Sequence, residues 1–368
     1  MEHKKIAVLS GDGVGPEVMA ATLPVLERVG ELFGRSFAFT SALVGGAAFD
    51  EYGEHLPQET IEVCRRSDAI LFGSVGGPLA ESDLPKWKGC ETRSILALRK
   101  TFGLAANFRP ATVYPQLEAI SPLKRELVHQ GIDLLIIREL QGDVYFGEHT
   151  LREEGGKRIA RDTCEYSEDQ IALVAHVAFQ AAQKRRSRVT SVDKANVLHT
   201  SKLWRDVVRE VHKGYPDVEL EDMLVDNCAL QLVKDPSRFD IIVTSNLFGD
   251  ILSDLAAGLP GSLGVMPSAS LNAQGFGLFE PSGGSAPDIA GKGIANPIAQ
   301  ILSASMMVRF AFGWSDEADA MDRAVVHALE DGARTADIFS GEGRCVSTAE
   351  MADAISRRLS TKGGGVRI

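Results

Sequence analysis

Residues 6–16 read Ile6-Ala-Val-Leu-Ser-Gly-Asp-Gly-Val-Gly-Pro16, and the fold turns on how this stretch is taken. The run 6–9 is apolar and short, as a strand buried on both faces is. Three glycines follow, then a proline at a place that suits the first helical turn, so the chain passes from strand through tight turn into helix. Such a turn invites comparison with the dinucleotide fingerprint. Its register, however, is Gly11-x-Gly13-x-Gly15, and the third glycine of G-x-G-x-x-G falls on Pro16. The turn is read as one that aims a helix, and not as a Rossmann phosphate cradle.

Working outward, 37–43 reads as a strand, 58–66 as a helix and 69–72 as a buried strand ending in the glycine turn 73–78, which is β-α-β-α-β syntax. A helix at 95–102 and strands at 105–113 and 132–138 follow. The segment 142–166 holds little that buries continuously and is read as a protruding β-arm, with a surface loop as the alternative. The rhythm resumes with helices at 167–186, 203–212 and 248–259 among strands at 188–192, 218–225 and 239–245. A turn-rich stretch at 260–273 and a loop at 280–296 precede three helices, 297–312, 316–331 and 348–359, and a Gly363–Gly365 tail. With 368 residues, two domains are expected.

Hydrophobic residues make up 44% of the chain and charged ones 24%, which excludes wholesale disorder. The net charge is −11, with no basic stripe to offset it, so neither nucleic acid nor an anionic membrane surface is expected as a partner. The apolar stretch 171–182 is too short to span a bilayer, and five scattered cysteines without a C-x-x-C pair suit reduced thiols. Together these point to a cytoplasmic location.

Asp250 and Asp254 stand one helical turn apart in Phe248-Gly-Asp-Ile-Leu-Ser-Asp-Leu. Unpaired, such stacked carboxylates cost a helix about 0.2–0.5 kcal/mol. A hard divalent cation would relieve that, and so would a solvated helix end; spacing alone leaves both open. Arg99, Arg109 and Arg138 lie in apolar surroundings, where a charge that cannot be removed needs an anion, either a protein acid or a carboxylate ligand. Lys194, at a strand end, reads as a base or as a structural lysine. The stretch Glu280-Pro-Ser-Gly-Gly-Ser-Ala-Pro-Asp-Ile-Ala-Gly-Lys-Gly-Ile-Ala-Asn-Pro has small residues that allow a ligand close to the backbone, and Asp288 offers an acceptor for a ribose diol; a structural Ω-like loop is the alternative.

Over nearly its whole length the chain resembles the β-decarboxylating dehydrogenases, the family of isocitrate and 3-isopropylmalate dehydrogenases. The resemblance is carried by Leu98-Arg-Lys, Asn107-Phe-Arg-Pro, Arg138-Glu-Leu, Tyr145-Phe-Gly, Val192-Asp-Lys-Ala-Asn-Val-Leu, Val225-Asp-Asn, Asn246-Leu-Phe-Gly-Asp-Ile-Leu-Ser-Asp and Gly284-Ser-Ala-Pro-Asp-Ile-Ala-Gly-Lys. It implies a two-domain α/β fold of the isopropylmalate-dehydrogenase type, a mixed sheet flanked by helices. A discontinuous cofactor domain would comprise 1–104 and 262–368, and a dimerisation and substrate/metal domain 105–261, its arm near 142–166.

By the same resemblance the activity is NAD-dependent oxidative decarboxylation of 3-isopropylmalate, with another 3-substituted malate, D-malate or tartrate as the alternative substrate and a non-catalytic regulatory subunit as the alternative role. Arg99, Arg109 and Arg138 would hold the substrate's carboxylates, and Asp226, Asp250 and Asp254 one Mg²⁺ or Mn²⁺ ion, Asp226 also contacting substrate. Tyr145 and Lys194 would be catalytic, and Ile95, Leu96 and Val197 would form an apolar pocket. Pro78 and Glu91 would line NAD, as would Gly283, Gly284, Ser285, Ala286, Pro287, Asp288, Ile289 and Asn296. Asp288 would repel a 2′-phosphate, favouring NAD over NADP. Lys194, Asp226 and Val197 would enter from a second subunit, making a homodimer with shared sites. Three positions depart from the family's usual residues: Ser10 stands for Pro, Gln141 for Thr and Asp143 for Gly.

Overall fold

A computed structural model describes residues 2–361; the Gly363–Gly365 tail lies outside the described residues. In chain order the main strands are β1 (Glu2–Gly11), β2 (Arg35–Ser41), β3 (Ala69–Ser74), β4 (Ala106–Thr112), β5 (Asp133–Glu139), β6 (His149–Glu154), β7 (Lys157–Asp162), β8 (Arg188–Asp193), β9 (Glu219–Leu224), β10 (Ile241–Thr244), β11 (Pro267–Leu271) and β12 (Gly277–Pro281). The chain divides into two compact units, one of Met1–Phe102, Thr112–Pro122 and Ala257–Ile368, the other of Gly103–Ala111 and Leu123–Ala256.

In the first unit the strand order is β2-β1-β3-β12-β11, parallel except for the antiparallel β11–β12 pair. Ile6, Ala7 and Leu9 of β1 are wholly buried, as an apolar run in a strand covered on both faces demands. The helix Gly15–Phe33 begins with Pro16 in its first turn and stops at Gly34 in the left-handed conformation. Between strand and helix the glycines answer to packing. A Cβ on Gly11 would lie 1.9 Å from the Ser74 carbonyl oxygen, and one on Gly13 1.9 Å from that of Ser285. Asp12, 7% exposed, accepts the N–H groups of Gly46 and Ala47 at 2.8 Å and of Gly76 at 3.1 Å. The turn thus clamps three loops, which is why it cannot double as a phosphate cradle.

The turn-rich reading of 260–273 needs correction, because it conceals the β11–β12 hairpin. Its strand Pro-Ser-Ala-Ser-Leu lacks β-branched residues and opens on proline, yet Ser268 and Ser270 are fully buried and Ser303 Oγ donates to the Glu280 carbonyl at 2.8 Å. Proline is tolerated there as the first strand residue. A helix at Gly46–Tyr52 was also not expected. The helix expected from 95 starts earlier, with a π-helical turn Thr92–Leu96 ahead of Ala97–Thr101.

In the second unit the order is β4-β5-β10-β8-β9, with β5, β10, β8 and β9 parallel. The helix Glu168–Gln183 opens with a capping box, Ser167 Oγ accepting from Gln170 N–H and Gln170 from Ser167 N–H. Within 142–166, β6 and β7 form an antiparallel hairpin whose residues are almost all exposed, with Leu151 and Ile159 among them.

Candidate active site

Five of the expected residues come together in the second unit. Arg138 leaves the end of β5 only 2% exposed and lies along the helix Asn246–Ala257. Its Nε and Nη2 donate to Asn246 Oδ1 at 3.0 and 2.8 Å, Nη1 pairs with Asp250, and its guanidinium sits 5.3 Å from the Tyr145 ring centroid. Gly249 makes this possible, since a Cβ there would fall 2.6 Å from Arg138 Cγ. The Tyr145 hydroxyl donates to Asp250 Oδ2 at 2.6 Å. Burial lifts its pKa above the ordinary tyrosine range, the Asp250 bond and charge add to that, and Arg138 partly opposes it. The phenol therefore keeps its proton at neutral pH. Arg109 donates from Nε to Asn107 Oδ1 at 2.7 Å and brings Nη1 to 3.9 Å from Asp254 Oδ1.

Asp250 and Asp254 share one helix face, as their spacing predicts. The Asp254 carboxyl titrates above the usual range: desolvation raises it most, Arg109 pulls it down, Asp250 raises it, and Arg138 lowers it. Its side chain remains 69% exposed. Two stacked carboxylates, one of them open to solvent, form a donor set suited to a hard divalent cation with free positions for water and substrate oxygens.

Lys194 and Asp226 pair with each other elsewhere in the unit, at the end of β8 and the start of the helix Val225–Lys234. The Lys194 hydrogen bond holds the Asp226 carboxyl below its usual range. Among the described residues no three His, Cys, Asp or Glu side chains gather as a metal site, so within one chain Asp226 does not join Asp250 and Asp254. Val197 is 64% exposed, and Leu230, Val233 and Ile251 are also exposed.

In the first unit Arg99 is buried and pairs through Nη2 with Glu280 Oε1 at 2.9 Å, while its Nε has no hydrogen-bond partner. Ile95, in the π-helical turn, is 9% exposed, and Leu96 is half-buried. A cleft of about 520 Å³ opens in this unit, lined among others by Gly283, Gly284, Ala286, Ile289 and Asn296. Ser285 is buried behind it and accepts the Val14 N–H at 2.8 Å. Pro287, Asp288 and Glu91 are exposed, and Pro78 is half-buried. No Cβ contact lies within 4 Å of Gly284, so the backbone there is open to a flat ligand.

Several residues that shape these sites escaped the sequence reading. Glu17 accepts the N–H groups of Gly293 at 3.1 Å and Ala295 at 3.0 Å, holding the glycine-rich loop against the first helix. Desolvation raises its carboxyl, but the bonds from Thr348, Ala295 and Gly293 outweigh it and leave it below the usual range. Glu139, 1% exposed, accepts the N–H groups of Gln141 and Gly142 and the Tyr166 hydroxyl, the last at 2.9 Å. Their only signal was an acid beside an arginine and a capping-type acid in a first helical turn, both too common to single out.

Burial pushes the Glu139 carboxyl up to about 7, against the pull of those donors and with the Asp143 charge adding to the rise. The fold thus favours the neutral acid. Its contribution is fully present below about pH 4.5 and is lost as pH rises through about 7, a change of about 3 kcal/mol. Glu139→Gln cannot ionise, so it should gain on the wild type by up to about 3 kcal/mol between about pH 4.5 and about pH 8. Urea unfolding of both proteins at the two pH values measures this, and a constant difference would count against it.

A family model described as isocitrate/isopropylmalate dehydrogenase matches residues 5–355. The 3-isopropylmalate dehydrogenase of Geobacter metallireducens is 56% identical over 355 residues, covering 95% of this chain and 98% of that protein. That of Yersinia pestis is 53% identical over 353 residues, 96% of this chain and 97% of the other. Among solved structures, isocitrate dehydrogenase from Methylococcus capsulatus superposes with a TM-score of 0.85 at 35% identity, covering 98% of this chain and 99% of that one. No described helix is long and apolar enough to cross a membrane.

Proposed function

The chain belongs to the isocitrate/isopropylmalate dehydrogenase family of decarboxylating dehydrogenases, and from that premise we propose that it oxidatively decarboxylates 3-isopropylmalate to 4-methyl-2-oxopentanoate and CO₂, with NAD⁺, in leucine biosynthesis. The observation that carries the reading is the cluster of Arg109, Arg138, Tyr145, Asp250 and Asp254. It sets two cations and a protonated phenol around a carboxylate pair.

Arg99, Arg109 and Arg138 hold the substrate's carboxylates, each already oriented by a protein acceptor. The cleft at Gly283–Asn296 would hold NAD⁺, which would supply the hydride acceptor, and Asp250 and Asp254, with the partner subunit's Asp226, would hold Mg²⁺ or Mn²⁺, which would supply Lewis-acid stabilisation of charge at the C2 oxygen. Lys194, also from the partner, takes the C2 hydroxyl proton. The β-carboxylate then departs as CO₂, and Tyr145 protonates C3 of the enol left behind. Ile95, Leu96 and the partner's Val197 take the isopropyl group. Its burial is worth roughly 2 kcal/mol, enough for about a tenfold preference or more over plain malate.

The working unit is a homodimer in the cytoplasm, with no nucleic-acid or membrane partner. Exposed Leu230, Val233 and Ile251, and the apolar Leu151 and Ile159 on the β6–β7 hairpin, supply the surface it would bury. Asp288, exposed on the cofactor loop, disfavours a 2′-phosphate and with it NADP.

The reading is tested by following NADH formation from 3-isopropylmalate with and without Mg²⁺, then with isocitrate, D-malate and NADP⁺. Metal-dependent turnover confined largely to 3-isopropylmalate with NAD⁺ is expected. Turnover only with another malate would overturn the pocket assignment, and none with any substrate would leave a regulatory subunit.

A further inference from the structure

Asp143 has a positive φ of 73°, a conformation that L side chains rarely adopt, and its side chain is 4% exposed. Its carbonyl accepts the N–H groups of Phe146 at 3.4 Å and Gly147 at 3.2 Å, closing a turn with Tyr145 inside it. Its carboxylate reaches out of that turn. Oδ1 accepts the Val144 N–H at 2.8 Å, and Oδ2 accepts the Leu247 N–H at 3.0 Å. The Cys164 thiol at 3.3 Å and the Tyr166 hydroxyl at 3.4 Å point to the same group. Leu247 lies in the first turn of the helix that carries Asp250, three residues on, and Tyr145 donates to Asp250. Next to it Asn246 Nδ2 donates to the Gly142 carbonyl at 3.2 Å, so two adjacent residues tie the same turn to the same helix end.

We propose that Asp143 is a positioning residue that holds the Tyr145 hydroxyl in register with Asp250, by binding the turn that bears the tyrosine to the first turn of the helix that bears the carboxylate. The residue touches no reacting atom. Its backbone sits where glycine would be relaxed, and the bonds of its carboxylate offset that cost. The proposal rests on the assignment of Tyr145 as a proton donor.

The test is a double-mutant cycle on the holoenzyme with 3-isopropylmalate, NAD⁺ and Mg²⁺. Asp143→Gly keeps the backbone relaxed and removes the brace. It is expected to lower kcat about tenfold with KM for 3-isopropylmalate changed less than about twofold, because the arginines keep their own acceptors. Asp143→Asn tolerates the same φ and retains an acceptor, and it should recover most of the loss. On a Tyr145→Phe background Asp143→Gly should cost less than about a further twofold. An equal tenfold loss on that background, or a rise in KM that matches the fall in kcat, would overturn the proposal. Thermal unfolding of the metal-free variants supplies a readout apart from turnover, and a fall in Tm that tracks kcat, with Asp143→Asn failing to rescue, would likewise reduce Asp143 to a structural role. Tyr145→Phe alone reports on the parent assignment, so the two failures are distinct.

Discussion

Lys194→Met is expected to lower kcat/KM for 3-isopropylmalate by about 10²–10⁴-fold, the range for losing a positioned general base. Methionine keeps an unbranched stem of similar length, so packing changes little while the amine is lost. In the structure that amine is paired with Asp226, and its residue directly follows the last residue of β8, Asp193. Removing it also frees Asp226 from the bond that depresses its carboxyl. A loss smaller than about tenfold in steady-state NADH formation would remove Lys194 from the proton step.

Tyr145→Phe is expected to cost a similar 10²–10⁴-fold in steady-state kcat, by a different route. The ring still lies by Arg138, so the arginine remains oriented, but the proton donor proposed for C3 is lost. Hydride transfer precedes that step. Stopped-flow mixing should therefore show a fast burst of about one NADH per site before the slow phase, whereas Lys194→Met should show none. A burst missing from both would place Tyr145 ahead of hydride transfer. The pair also tests site sharing. If Lys194 serves the partner's site, refolding the two inactive variants together should restore about a quarter of wild-type activity through mixed dimers, each with one intact site. No recovery would confine each site to one chain.

What was legible in the chain followed from local rules. The run 6–9, the proline after the glycine turn and the i, i+4 aspartates each state their geometry within a few residues, and the structure has the strand, the helix and the shared face. The protein partners of the arginines lie far off in sequence, where spacing could not reach them: Glu280 opposite Arg99 and Asn246 opposite Arg138. β11 hid because serine and alanine can fill a strand when a helix seals it from above, and Ile298–Phe310 is buried on almost every side. The Glu139–Tyr166–Asp143 network was invisible for the same reason, since its members are ordinary residues until the fold makes them neighbours. Asp143 did stand out as a departure from the family, but nothing in the letters said that its carboxylate would reach Leu247.

The first unit is threaded from three separate stretches, and β3 has β1 on one side and β12 on the other. A ribosome delivers β1, β2 and β3 long before Gly277–Pro281 exists to cover the open edge of β3. The emerging chain therefore carries an apolar, half-finished sheet through most of its synthesis, the kind of edge that recruits stray strands. The second unit has its own strands in hand by Thr244 and can close while translation continues. Completion of the first unit is thus left to the last part of the message, and conditions that slow or truncate synthesis should penalise that unit first.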